Sequence, residues 1–552
     1  MKLFLEQHYL SILIFMPLVF TMVLPFLKEG ENGRNIHRFA ILATGILYGF
    51  STLAWNGWLT PHPVLFAWIP SLSINYALDT DGLSTTLVFL TTFLMLMASV
   101  ASLTNIAKRV KLYYAMIFIL TTSILGVFLA RDLFLFFLFW ELELIPMYFL
   151  IAIWGGPRRE FAAMKFVLYT LFGSVFLVAG ILALYFTTKA SGLVPHGYFL
   201  FSSVETVLAS SRSLLPMGSQ ILIFIAFFIT FAVKLPMVPF HTWLPDAHVE
   251  APTPISMLLA GILLKMGSYG LLRFCFGFFP HAAEVLVPYI ALAATINIVY
   301  TAGVALVQED MKKLIAYSSV SHMGFVLLGL SALNAAGFNG AVFVMFAHGL
   351  VSAALFMCVG TLYRRTHSRL ISDYGGFGSQ TPVLFYFFLF MGMASLGLPL
   401  LVSFASETLV FYGAYISRAF TQVQLAWNLI LPWSIQTLTV ISALGVVIGA
   451  AYTLWLLKRL FYGPLQERWK SLPDASPSEV FVLATLAILV LLFGFFPQSL
   501  ISQFEPTVTR MSRAYVQPMF RVLAEGHDEG SLKQAHDVWA SKLPVHHSGD
   551  HH

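Results

Sequence analysis

The chain has 552 residues, of which 58% are hydrophobic and only 10% charged. That composition excludes a soluble globular protein, because a chain of this length could not hide so much apolar surface from water, and it points to a polytopic membrane protein. The net charge of +5 is small for the length and reflects basic loops rather than a nucleic-acid surface.

The N-terminus opens MKLFLEQHYLSILIFMPLVF. Its apolar run, 9–26, is too long for a signal-peptide core and no small-residue cleavage site follows, so it reads as a retained first helix. Thirteen further membrane segments are predicted at 39–58, 83–106, 112–130, 133–154, 163–187, 217–236, 252–277, 284–307, 311–332, 338–363, 382–416, 436–462 and 479–502. The fold class expected is an all-α membrane protein of about fourteen transmembrane helices.

Odd-numbered loops carry seventeen lysines and arginines, among them Lys108, Arg158, Lys312, Arg364 and Lys458. Even-numbered loops carry five: Arg131, Lys189, Arg212, Arg273 and Arg418. The positive-inside rule then places odd loops in the cytoplasm and both termini on the opposite side. After about Phe504 the chain turns polar and ends VHHSGDHH; it reads as a disordered external tail, with weak metal binding by the histidines the lesser alternative.

Segments 7 and 12 are interrupted. Lys234 stands beside Pro236 and Pro239, and Glu407 follows GLPLLVSFAS with Gly397 and Pro399. Broken helices at corresponding places in two halves point to an ion site between repeats. Pro236 cannot donate to the Ala232 carbonyl, so a wet spot is expected beside Lys234. A lysine in such a segment costs roughly 2.5–3.5 kcal/mol on insertion scales, which makes it a functional candidate.

Glu141 and Glu143 lie in the apolar stretch FLFFLFWELELIPMYFLIAIW. Two residues on a helix are about 200° apart, so one carboxylate is expected to face the bundle and the other a neighbouring helix or subunit. A buried carboxylate wants a cation, and Lys234 is the natural partner. Lys265, between Gly261 and Gly267, sits too far from either end of segment 8 to snorkel. His322 in YSSVSHMGF and His348 in FAHGLVSAALF could be hydrogen-bonded core residues. Two in successive helices with serines around them favour a proton relay, with Glu407 the last buried group before the outer side. The stretch from His241 through Asp246 and His248 to Glu250 mixes histidines and carboxylates; a hydrated loop admitting protons, or a helix cap, is expected ahead of a metal site. Cys275 and Cys358 read as small buried hydrophobes, and the absence of CxxC, GxGxxG and Walker-type motifs leaves no evident nucleotide, haem or iron–sulfur site.

FFLFWELELIPMYFLIAIWGG, the Thr230 to Phe274 stretch and KKLIAYSSVSHMGF closely resemble the NuoM/NdhD family, the chain-4 membrane subunit of complex I-type NADH:quinone and photosynthetic NDH-1 complexes. The resemblance covers roughly segments 4 to 13. It implies an antiporter-like fold with two inverted five-helix repeats, giving helices 1–3 over 1–111, a first repeat over 112–277, a second over 278–462, helix 14 with its loop over 463–502 and a polar tail over 503–552. It also implies that Glu141 pairs with Lys234 and that Lys265, His322, His348 and Glu407 continue a hydrated proton line. The SETLV context of Glu407 departs from the GE pattern common there.

The resemblance further implies a proton-translocating subunit in a bacterial inner membrane or a thylakoid. Its partners would be the other membrane-arm subunits and the lipid bilayer. NAD(P)H or ferredoxin, iron–sulfur clusters and quinone would be handled by other subunits, with no cofactor bound here. The alternatives are a subunit of a Mrp-type cation/proton antiporter, against which Glu407 in place of a lysine argues, a subunit of a membrane-bound hydrogenase or formate-linked complex, and a purely structural subunit with inert buried pairs.

Overall fold

The computed structural model describes residues 2–30, 33–210, 215–424 and 430–525. Among them, thirteen helices are long and apolar enough to cross a membrane. The expected segment 382–416 is two shorter helices, Pro382–Ser395 and Val402–Ile416, parted at the Gly397–Pro399 stretch. Segment 7 likewise ends at Lys234, and the chain re-forms a short helix, Trp243–Glu250, before Thr253.

Hydrophobicity cannot say which helices are central, because lipid and protein neighbours are equally apolar. Burial does. The best apolar windows of Thr253–Phe276 and Ala335–Thr366 are 100% buried, whereas those of the first helix, Ile435–Phe461 and Pro477–Phe495 are 33% buried. The helices carrying Lys265 and His348 are therefore the axis of the bundle. Small residues let them approach. A Cβ on Gly261 would meet the Gly349 carbonyl at 3.4 Å, and one on Gly349 would meet the Gly261 carbonyl at 3.0 Å. The Lys265 helix is itself irregular, with π-helical turns over Leu259–Leu263 and Leu271–Phe276 flanking a short α-helical stretch, a feature that recurs at functional sites.

At the break after Lys234 the freed carbonyls find partners within the protein. The Ala232 carbonyl accepts from Met237 N–H at 2.8 Å, and the Val233 carbonyl from the Trp243 indole at 2.9 Å. The carbonyls released by Pro236 are thus satisfied within the fold, and Lys234 stays buried. The polar tail expected from 503 begins differently. Gln498–Glu525 is a helix that packs on the start of Gly82–Asn105, with Phe504 and Val508 buried and the Tyr515 hydroxyl donating to the Phe276 carbonyl at 2.6 Å. Its buried apolar positions are spaced by helical turns within a polar sequence, a pattern the overall polarity conceals. The histidine cluster at the C-terminus lies outside the described residues.

A short hairpin, Val64–Ile69 with Ile74–Leu78, covers one end of the bundle. Asp132 anchors it: the carboxylate accepts from Asn75 N–H at 3.0 Å and caps the helix Leu133–Leu142 through Phe134 N–H at 2.9 Å. Burial nevertheless pushes this carboxyl up to about 6.

Two predictions follow from packing and from charge. At Gly267 a Cβ would fall 2.7 Å from the Leu235 nitrogen and 2.8 Å from the Phe231 carbonyl. Because these are backbone atoms, Gly267→Val should cost about 1–3 kcal/mol or more, seen as a lowered unfolding temperature. Gly218→Ala, in open space, should be neutral. The native state also binds more protons at Asp132 than the unfolded chain does between pH 4 and 6. Its contribution to stability therefore falls as pH rises through that window, by up to about 3 kcal/mol. Asp132→Asn keeps a capping side chain and should flatten that part of the unfolding-temperature profile against pH.

Candidate proton-relay site

The first part of the site is built where two helices break. Pro146 has no N–H for the Leu142 carbonyl and its ring crowds that turn. The helix accordingly ends at Leu142 and restarts at Leu144, with Glu143 at the join. Glu143 is fully buried and its Oε1 takes the Lys234 ammonium in an ion pair. The same ammonium lies 5.6 Å from the Trp140 ring centre and 5.2 Å from that of Phe166, so aromatic faces supply much of its remaining environment.

This corrects the expected partner. Lys234 contacts Glu143, not Glu141. Glu141 lies beside Ser174 and acts on Lys234 only at longer range; its Oε1 is buried with no hydrogen-bond partner among the described residues. As the 200° helical offset leads one to expect, one carboxylate faces into the bundle and the other lies against a neighbouring helix; what differs is which of the two takes Lys234, which the family resemblance had implied to be Glu141.

The second part is a chain of contacts across four helices. The π turn brings the Ala260 carbonyl within 2.5 Å of the Lys265 ammonium, and His348 Nδ1 lies 2.7 Å away on the other side. The His348 and His322 rings are 5.6 Å apart, centre to centre. His322 Nδ1 is 3.2 Å from Glu407 Oε1, and its Nε2 is 3.4 Å from the Ser395 hydroxyl. A narrow cavity joins His348, His322, Ser395 and Glu407, lined also by Ser318, Ser319, Ser352, Ser403 and Ser406. The broken segment 12 gives it one wall, so Glu407 reaches in from the helix restarting at Val402. Lys265, His348, His322 and Glu407 are thereby brought together as one series. Glu143 and Lys234 form a separate pair. The two parts meet only through backbone, where Gly267 packs on Lys234 and Leu235.

The stretch His241 to Glu250 is not one cluster. The His241 and Tyr317 rings are 6.1 Å apart. Asp246 pairs with Lys165 at 2.7 Å, and Glu250 with Arg369 at 3.8 Å. His248 stacks on Phe356 with ring centres 4.3 Å apart, and both of its ring nitrogens lack hydrogen-bond partners among the described residues.

Sequence reasoning missed Lys312, which is buried and donates to the Ala251 carbonyl at 2.6 Å. It lines a cavity of ≈ 760 Å³ together with Glu250, Arg364 and Arg369. His248 lies within electrostatic reach of both Lys312 and Lys265, between that cavity and the central series. Its position so close to a helix start gave Lys312 the look of a loop cation.

The chemistry of such a series is proton exchange. An ammonium beside an imidazole nitrogen shares one proton between two bases, and imidazole can accept on one nitrogen while donating from the other. Glu407 adds a carboxylate at the far end.

Residues 130–431 match the family model for NADH:quinone oxidoreductase/Mrp antiporter membrane subunits. The chain is 40% identical to NADH-quinone oxidoreductase subunit M of Rhodobacter capsulatus over 92% of its own length and 97% of the relative's. It is 37% identical to NAD(P)H-quinone oxidoreductase chain 4 of Acaryochloris marina, covering 92% of this chain and 93% of that one. Among solved structures, a chain of respiratory complex I from Thermus thermophilus with bound NADH superposes with a TM-score of 0.78 at 26% identity, over 92% of this chain and 99% of that one. A chain of the Mrp complex from Dietzia, at 22% identity and a TM-score of 0.73 over 92% of this chain and 52% of that one, shares the fold. With two broken helices, buried lysines on the bundle axis and relatives of this similarity along nearly its whole length, the chain belongs to the NADH:quinone oxidoreductase/Mrp antiporter membrane-subunit family, in its subunit M or chain 4 branch.

Proposed function

We propose that the chain is a proton-translocating membrane subunit of a quinone oxidoreductase fed by NAD(P)H or ferredoxin. It contributes no redox centre; nicotinamide or ferredoxin, iron–sulfur clusters and quinone are handled by partner subunits. Electron transfer there alters charge and hydration along the membrane arm, and protons move through this chain in response. The observation that carries this reading is the contact series Lys265, His348, His322 and Glu407 across the bundle axis. Titratable groups so deep in an apolar bundle are costly and mark a conduction path.

The lysine and arginine distribution supports odd loops on the cytoplasmic side and both termini opposite. The ≈ 760 Å³ cavity is lined by residues of those odd loops, which supports proton uptake there, past Lys312 and His248 to Lys265. Release would follow His348, His322 and Glu407. The Glu143–Lys234 pair, with Glu141 close by, would act as the gate: opening it leaves an uncompensated buried ammonium that favours proton loss nearby. Inverted repeats over 112–277 and 278–462 fit the breaks at Lys234 and at Gly397–Pro399. The membrane is a bacterial inner membrane or a thylakoid.

The test is the purified complex in proteoliposomes. Lys234→Ala should lower proton pumping by about tenfold or more, the scale on which loss of a positioned proton carrier registers. A complex that assembles and pumps normally without Lys234 would reduce the lysine to scaffold. His348→Ala and Glu407→Gln should each interrupt pumping while the complex still assembles. The ion pair makes a separate prediction about stability. Glu143→Gln leaves Lys234 buried and unpaired, at a cost of about 3–5 kcal/mol. Adding Lys234→Met should recover most of that loss in thermal unfolding, and Glu141→Gln should cost less than Glu143→Gln.

A further inference from the structure

Lys265, Tyr269 and Arg273 follow one another at four-residue steps. They form one stripe on their helix, running about 12 Å from the central lysine toward the end of the span. Nothing in the mechanism above uses the upper part of this stripe, yet it ends in a dense polar cluster. Asp81 takes ion pairs from Arg273 and, at 3.4 Å, from Arg131. Arg131 donates to the Tyr269 hydroxyl at 3.1 Å and to Ser84 Oγ at 3.3 Å. The Tyr269 hydroxyl donates its own proton to the Phe128 carbonyl at 3.0 Å, and the Arg273 guanidinium lies 5.2 Å from the Tyr269 ring centre. Glu205, exposed on a neighbouring helix, faces both arginines. Within the cluster one carboxylate is shared by two guanidiniums, which leaves it net positive; the exposed Glu205 is screened by solvent.

Arg131 and Arg273 are also two of the five lysines and arginines on even-numbered loops. Below the cluster, the Ser268 hydroxyl is buried with no hydrogen-bond partner among the described residues. It offers a water a foothold less than one turn from Lys265.

A proton leaving Lys265 along its own helix would therefore meet Tyr269 first. That route is closed chemically. The tyrosine's proton is committed to a backbone carbonyl, which is not a base. Its oxygen accepts from Arg131, with Ser84 Oγ 3.4 Å away and itself held by Arg131, and a guanidinium cannot be deprotonated in a protein. Two fixed positive charges next to the path also repel an approaching hydronium, the device by which arginines bar protons from other membrane pores.

We propose that Asp81, Arg131, Arg273 and Tyr269 form a proton seal above Lys265, which stops the lysine discharging directly to the outer side and makes it unload sideways onto His348. The proposal rests on the relay reading above. With the seal broken, a proton would pass from Lys265 Nζ to water at Ser268 and on to the Tyr269 oxygen, while the tyrosine's own proton leaves outward, restoring neutral tyrosine.

The experiment measures passive proton leak into proteoliposomes of the purified complex, under an imposed potassium diffusion potential and without electron donor. Arg273→Gln should raise the leak by about tenfold, the response to removing about 1.4 kcal/mol of barrier. Arg273→Lys, which keeps the charge, should remain tight. Adding Lys265→Met to Arg273→Gln should restore tightness, because the leak must pass through the lysine. If Arg273→Gln fails to assemble, Arg131→Gln removes one of the two positive charges and the guanidinium on the Tyr269 oxygen, and should leak likewise. A tight Arg273→Gln complex, or a leak that survives Lys265→Met, overturns the seal. Lys265→Met alone, if it pumps normally, overturns instead the relay on which the seal depends.

Discussion

The Lys265 ammonium has two acceptors among the described residues, the Ala260 carbonyl and His348 Nδ1. Neither carries a formal negative charge. A lysine so placed is held by hydrogen bonds to neutral groups, one of them an imidazole that can exchange a proton with it. Everything else in the arrangement serves this contact. It needs two long helices at backbone distance, which Gly261 and Gly349 permit, and a carbonyl turned toward the lysine, which the π turn supplies.

A second consequence concerns the two breaks. Broken membrane helices free carbonyls that must be satisfied. Near Lys234 they are satisfied by Met237 N–H and the Trp243 indole. The pair with Glu143 sits against the aromatic faces of Trp140 and Phe166. Near Glu407 the surroundings are serines and a cavity. One half of the site is built to hold a charge pair in low dielectric, where a change in partner is felt strongly. The other sets two imidazoles and a carboxylate in series. The close packing of Gly267 on Leu235 and Lys234 joins them, a contact of packed atoms rather than a hydrogen bond.

Charged groups at the ends of the bundle are organised in the same spirit. Glu479 is buried beneath Arg364 and Arg365, as Asp81 is shared by Arg131 and Arg273. In both places one carboxylate collects two guanidiniums, which settles helix ends without leaving a group able to change protonation at neutral pH.

Much of this was legible in the residues alone. The membrane spans follow from runs of apolar side chains, the breaks from Pro236 and from Gly397 with Pro399, and the candidate groups from the cost of placing Lys234, Lys265, His322, His348 and Glu407 among them. Those are local properties, set by solvation and by backbone chemistry. Tertiary structure alone decided which carboxylate takes Lys234, because the choice between Glu141 and Glu143 turns on where the neighbouring helices stand. It alone brought Lys265 to His348, since that contact spans 83 residues and depends on two glycines meeting. It alone revealed Lys312 as buried and Gln498–Glu525 as a packed helix. In an apolar solvent the hydrophobic pattern that sorts inside from outside in water is silent, so the centre of the bundle is set by packing and pairing between distant segments.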